Sequence, residues 1–130
     1  MTKEDEITIM KFTIAMEAEG ESFEGKLGVG YVIINLTKLL KKSISDVCLM
    51  QWRFSAWNTD SPTRSRLDEI GDSIMEAAHA AALAAYTKSM NDPTLGATHY
   101  LNEDLTRQIS KSKGLGETLP NWVVTLKKTT

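Results

Sequence analysis

Residues 16–25 read Met-Glu-Ala-Glu-Gly-Glu-Ser-Phe-Glu-Gly and set four glutamates around Gly20. Of the four, Glu17 is the one with a chemical argument. Ile7, Met10 and Ile14 recur at helical spacing, and the next step along that stripe lands on Glu17, where the helix runs toward a glycine break. A carboxyl at the end of a buried stripe is desolvated, its pKa rises, and it stays protonated nearer neutral pH, as a proton donor must. Periodicity alone favours a plainer reading, a helix-end carboxylate satisfied by backbone or by a lysine or arginine. Glu21 is expected to cap or anchor the turn as a supporting residue, and Glu19 and Glu24 to be solvated. Other reactive types are few. Cys48 is the single cysteine, which excludes an intrachain disulfide and a cysteine zinc cluster, and it reads as a small buried apolar residue. His79 and His99 are too few to build a metal site without carboxylates, so no metal and no other cofactor is expected.

The elements that position these residues are mostly helical. Thr2 with Asp5 forms an N-terminal cap for a helix over residues 3–19, apolar around more than half its circumference. Ser22 caps a second helix over 23–41, with Leu27, Tyr31 and Ile34 on its core face. Gly25, Gly28 and Gly30 in its first half imply close approach of another backbone, most simply the first helix, in a tight hairpin. A short helix over 43–49 follows, capped by Ser43 or Ser45. Residues 51–64, with Trp52, Phe54 and Trp57, have no period and read as a loop.

Residues 66–90 are helical again, with Gly71 as a point of division. Leu67, Ile70, Ile74, Ala78, Ala81 and Ala85 form one stripe, and Leu83, Tyr86 and Met90 a second. The alanine run over 77–85 permits close packing on the hairpin, and Asn91-Asp92-Pro93 is the expected stop. Residues 96–101 read as extended and 122–126 as a last strand able to pair with them. One or two helical turns over 103–109 and a loop over 111–117 lie between.

At 130 residues, 42% hydrophobic and 25% charged, the chain has material for one core, and a single domain over 1–130 is expected. A formal net charge of −2, with no basic run beyond Lys41-Lys42 and Lys127-Lys128, argues against nucleic acid as a partner. The start Met-Thr-Lys-Glu-Asp-Glu is acidic where a signal peptide is basic, and no apolar run approaches membrane-spanning length. The expectation is a chain made in the cytoplasm without a signal peptide, with no membrane span, acting as a monomer.

Five segments occur in order: Glu17-Ala-x-Gly-Glu21; a Gly/Val/Ile-rich helix ending Ile-Ile-Asn35; Phe54-Ser55-x-Trp57; Asp92-Pro-Thr-x-Gly-Ala-Thr98-His99-Tyr100-x-Asn102; and Pro120-x-Trp122. Together they resemble the SleB-like cell-wall hydrolase family, whose catalytic domain is similar to the lysozyme-like lytic transglycosylases. The resemblance runs from about residue 13 to 122, and Gly-Ala-Thr-His-Tyr is its most specific part. It implies an α+β, mainly α, lysozyme-like single domain with a small β element. It also implies that Glu17 is the catalytic acid, that Phe54, Ser55, Trp57, Thr98, His99, Tyr100 and Asn102 line or support a glycan groove, and that Asn35 supports it. The chain departs from the family in carrying Glu19 and Leu36 where arginines are usual, and no Gly-x-His-x-Phe-Tyr segment follows Trp122.

Glycoside hydrolysis usually needs two carboxyls flanking the sugar, roughly 5–5.5 Å apart for retention or 6.5–9.5 Å for inversion. Glu17 and Glu21 lie on the same side of one helix break and are poorly placed to straddle a ring. A lytic transglycosylase needs one acid, which protonates the leaving oxygen and then takes the proton from the muramic acid C6 hydroxyl as an anhydro ring closes. The expected function is therefore peptidoglycan lytic transglycosylase, of the phage-lysin type released by a separate pore or carried in a virion. The alternatives are a hydrolytic muramidase of the same family and a non-catalytic glycan-binding or virion structural module. Amidase action on the stem peptide is the poorest, for want of metal ligands.

Overall fold

Asp5 donates its amide to the Thr2 hydroxyl at 3.1 Å, and Thr2 donates its own amide to the Asp5 carboxylate at 3.3 Å. This reciprocal cap, with Glu4, Asp5 and Glu6 facing the positive end of the helix dipole, starts α1 (Lys3–Glu17). The computed structural model describes residues 2–50, 67–102 and 123–126. Ser22 caps α2 (Phe23–Leu40) by accepting the Gly25 amide at 3.1 Å, and Ser43 caps α3 (Ile44–Leu49) by accepting the Asp46 amide at 3.1 Å. A 3₁₀ turn, Leu67–Glu69, precedes α4 (Asp72–Thr87), and the division falls at Gly71, the residue before α4 begins. The expected loop over 51–64 and the segments over 103–109 and 111–117 lie outside the described residues, as do Trp52 and Trp122.

Ile7, Met10 and Ile14 of α1 are buried, as their spacing predicts, together with Leu27, Val29, Val32 and Ile33 of α2 and Ala78, Ala81, Ala82 and Ala85 of α4. Of the second stripe only Tyr86, half-buried, packs against this core. Leu83 and Met90 are exposed, because the alanine face already occupies the contact and turns its neighbours outward. Cys48 is fully buried on α3, and burial above all pushes its thiol up to about 12, against a hydrogen bond with Thr13 of α1.

At Gly30 the close backbone is that of a different helix from the one expected. A Cβ placed at Gly30 would lie 3.1 Å from the Ala85 Cβ, 3.3 Å from the Ile14 Cδ1 and 3.5 Å from the Ala81 carbonyl oxygen. The backbone that comes close is thus that of α4, which alanines make the slimmer helix, while α1 reaches Gly30 through a side chain. In Gly30→Ala the gain in helix propensity is about 1 kcal/mol, whereas overpacking costs about 1–3 kcal/mol. The Ala85 Cβ is fixed to its backbone and cannot rotate away. We expect a net loss of about 1 kcal/mol, seen as a lower midpoint in urea unfolding; an unchanged midpoint would mean that α4 yields freely.

The β element joins the ends of the chain's second half. Strand β1 (His99–Asn102) pairs in parallel with β2 (Val123–Leu126), in the register His99 with Val123 through Asn102 with Leu126. Both strands fall where the sequence places them. The fold is accordingly mainly α with a small β element, compatible with a small lysozyme-like domain. Among the described residues no helix is long and apolar enough to cross a membrane.

Candidate active site

Glu17 is the last residue of α1, two residues earlier than the predicted end, and Ala18 caps the helix by donating its amide to the Ile14 carbonyl at 2.8 Å. Its side chain is half-buried rather than buried, because the helix ends there and the turn opens beside it. The Glu21 amide closes that turn on the Ala18 carbonyl at 3.0 Å, and Ser22 begins α2 directly after. The more deeply buried of the two acids is Glu21, at 9% exposure. Glu19 is half-buried and Glu24 exposed, so only the second is solvated as expected.

A residue not singled out by sequence reasoning organises this turn. Lys26, 4% exposed, donates its ammonium to the Glu21 carbonyl at 2.6 Å and to the Glu19 carbonyl at 3.3 Å. Burial pushes the ammonium below its ordinary value, and the Glu21 and Glu19 carboxylates pull against that shift. The signal in the sequence is a lone charge within the otherwise apolar run that follows Gly25.

The second cluster sits toward the other end of α2. Thirteen residues separate Ser22 from Asn35, which at the rise of an α-helix is roughly 20 Å along its axis. Tyr31 and Asn35, one turn apart, both reach the chain that leaves α4. The Tyr31 hydroxyl donates to the Met90 carbonyl, while the Asn35 amide donates to Asp92 Oδ2 at 3.1 Å and to the Ala97 carbonyl at 2.9 Å. Asp92 is the hub of this turn. Its Oδ1 accepts the Thr94 amide at 2.8 Å and the Thr94 hydroxyl at 2.7 Å, and its Oδ2 also accepts the Gly96 amide at 3.0 Å. Burial opposes its charge, but the hydrogen bonds from Thr94, Asn35 and Gly96 outweigh burial and hold the carboxyl below its ordinary range.

Sequence reasoning places Asp92 in a helix stop and at the head of the Asp92–Asn102 segment, without a role of its own. The stop is in fact made earlier, by Lys88 in the left-handed conformation with the Ser89 amide on the Ala84 carbonyl at 3.1 Å. That leaves Asp92 to build the following turn, in which Gly96 takes a positive φ of 92°.

This turn delivers Thr98 and His99. The Thr98 hydroxyl lies 3.0 Å from His99 Nδ1, with Thr98 half-buried and His99 exposed at the start of β1. The backbones of Tyr100 and Asn102 continue β1. Phe54, Ser55 and Trp57 lie outside the described residues. His79 is exposed on α4. The described structure therefore places Glu17 at the head of a turn that Lys26 of α2 holds at Glu19 and Glu21, and groups Asn35 with Asp92, Thr94 and the approach to β1 in another. Among the described residues no group of three histidine, cysteine or carboxylate side chains is arranged to hold a metal ion.

The family profile described as Cell Wall Hydrolase matches residues 20–124. The chain belongs to this family. No curated protein and no solved structure gives a significant match. As a cell-wall hydrolase it is an enzyme acting on peptidoglycan. The matched span contains Glu21, Lys26, Asn35 and the whole Asp92–Asn102 segment and begins three residues after Glu17.

Proposed function

We propose that this cell-wall hydrolase is a lytic transglycosylase, one peptidoglycan-cleaving domain over residues 1–130 that breaks the MurNAc–GlcNAc β-1,4 bond. Glu17 donates its proton to the glycosidic oxygen as the bond to the muramic acid C1 breaks. The resulting carboxylate then takes the proton of the C6 hydroxyl while that oxygen closes on C1, giving the 1,6-anhydro product and restoring the acid. No water is consumed. Thr98, His99, Tyr100 and Asn102, with Phe54, Ser55 and Trp57, hold the glycan, and Glu21 and Asn35 support the two turns. The role is that of a phage-type lysin.

The observation that carries this reading is the position of Glu17 at the end of the helix whose stripe forms the core, within a chain whose family acts on cell wall. Glu21 follows in the same tight turn, an arrangement that favours one acid over a flanking pair. Mass spectrometry of muropeptides released from purified sacculi tests it. Products one water lighter than the hydrolytic fragments are expected. Reducing-end muramic acid would place the enzyme with the hydrolytic muramidases, and binding to sacculi without release would leave a glycan-binding module.

A further inference from the structure

The buried ammonium of Lys26 is the group in this molecule least accounted for by packing. A lysine costs free energy to bury, and α2 would bury an apolar side chain at this position without that cost. It is kept there by two main-chain carbonyls, those of Glu19 and Glu21, on the segment that joins Glu17 to α2. The carboxylates of the same two residues face it electrostatically. Both contacts act on the four residues that decide where α1 ends, and hence on the direction in which its last side chain, Glu17, is presented.

We infer that Lys26 is a positioning residue for the acid: its ammonium fixes the 18–21 turn through the Glu19 and Glu21 carbonyls and balances the charge of their carboxylates beside Glu17. This rests on the assignment of Glu17 as the acid. The hydrogen bonds set geometry, and the charge sets ionisation. A cation in the turn favours the ionised form of nearby carboxyls, so its removal raises their pKa values and moves the alkaline limb of activity to higher pH, since the acid must start protonated. The charged groups that face Lys26 are Glu21 and Glu19 on the turn, which follows directly on Glu17 at the end of α1.

Three variants separate the two contributions. Lys26→Met removes donor and charge, Lys26→Gln keeps a shorter donor without charge, and Lys26→Arg keeps the charge. Clearing of purified sacculi by Lys26→Met is expected to fall about ten-fold in kcat, the scale of a small misplacement of a catalytic group. In Lys26→Gln the alkaline limb moves to higher pH, and Lys26→Arg restores the wild-type limb. Should Lys26→Met fold poorly, by circular dichroism, the Gln and Arg pair carries the comparison. Independently of activity, carboxyl-carbon NMR titration of the Gln variant should show the Glu21 midpoint above that of the wild type. An unmoved Glu21 midpoint together with an unmoved pH limb overturns the inference. Glu17→Gln assayed beside these variants isolates the parent assignment, because wild-type clearing by Glu17→Gln removes Glu17 as the acid whatever the Lys26 variants do.

Discussion

Glu17→Gln is expected to fold like the wild type and to lose cell-wall lysis by about 10²–10⁴-fold, the usual contribution of a positioned general acid. Glutamine matches glutamate in shape and can still hydrogen-bond, so the half-buried helix end stays filled and α1 keeps its cap on the Ile14 carbonyl. What is lost is the transferable proton. Turbidity of purified sacculi measures the loss, thermal unfolding checks the fold, and a pull-down on insoluble peptidoglycan should show binding retained. Clearing at the wild-type rate would remove the assignment. Glu21→Gln is the necessary companion, since Glu21 is the more buried carboxyl and lies inside the matched span. If Glu21→Gln alone abolished clearing while Glu17→Gln did not, the acid would be Glu21.

The helices were legible because their signals are local. Thr2 with Asp5, Ser22 and Ser43 each cap within three residues, and Gly71 marks the division before α4 by the same short-range logic. The apolar stripe of α1 likewise leads to Glu17 by spacing alone. Its half-burial was not legible, because spacing does not show that the helix stops at Glu17 with the Ala18 amide on the Ile14 carbonyl. The neighbour of Gly30 is not legible for a related reason: a glycine announces that something comes close, but which helix arrives is decided by the alanines of α4. The turn before β1 was least legible. Asn35 and Asp92 are 57 residues apart, and no periodicity links an amide on one helix to a carboxylate beyond another. Phe54, Ser55 and Trp57, which the resemblance assigns to a glycan groove, fall outside the described residues.

Asp92→Asn should damage substrate holding and stability while sparing the chemical step. Each carboxylate oxygen of Asp92 accepts two donors, Thr94 twice on one side and Asn35 with Gly96 on the other. An amide can satisfy only one side, since its NH₂ meets donors wherever it is turned. Because Asp92 is half-exposed, water takes over part of the loss, and we expect a cost of about 1–2 kcal/mol. The turn leads straight into Thr98 and His99, but it lies roughly 20 Å along α2 from the Glu17 turn. KM for sacculi should therefore rise with kcat little changed, and a matching fall in kcat would mean that the two clusters are coupled. The pH dependence carries a sign. The folded carboxyl titrates below its ordinary value of 3.8, so its contribution is complete above that value and is lost as pH falls through the lower folded one. Wild type and Asp92→Asn should thus differ most in unfolding free energy near neutral pH and converge in strong acid. A difference that persisted undiminished in strong acid would assign the loss to packing rather than to the charge.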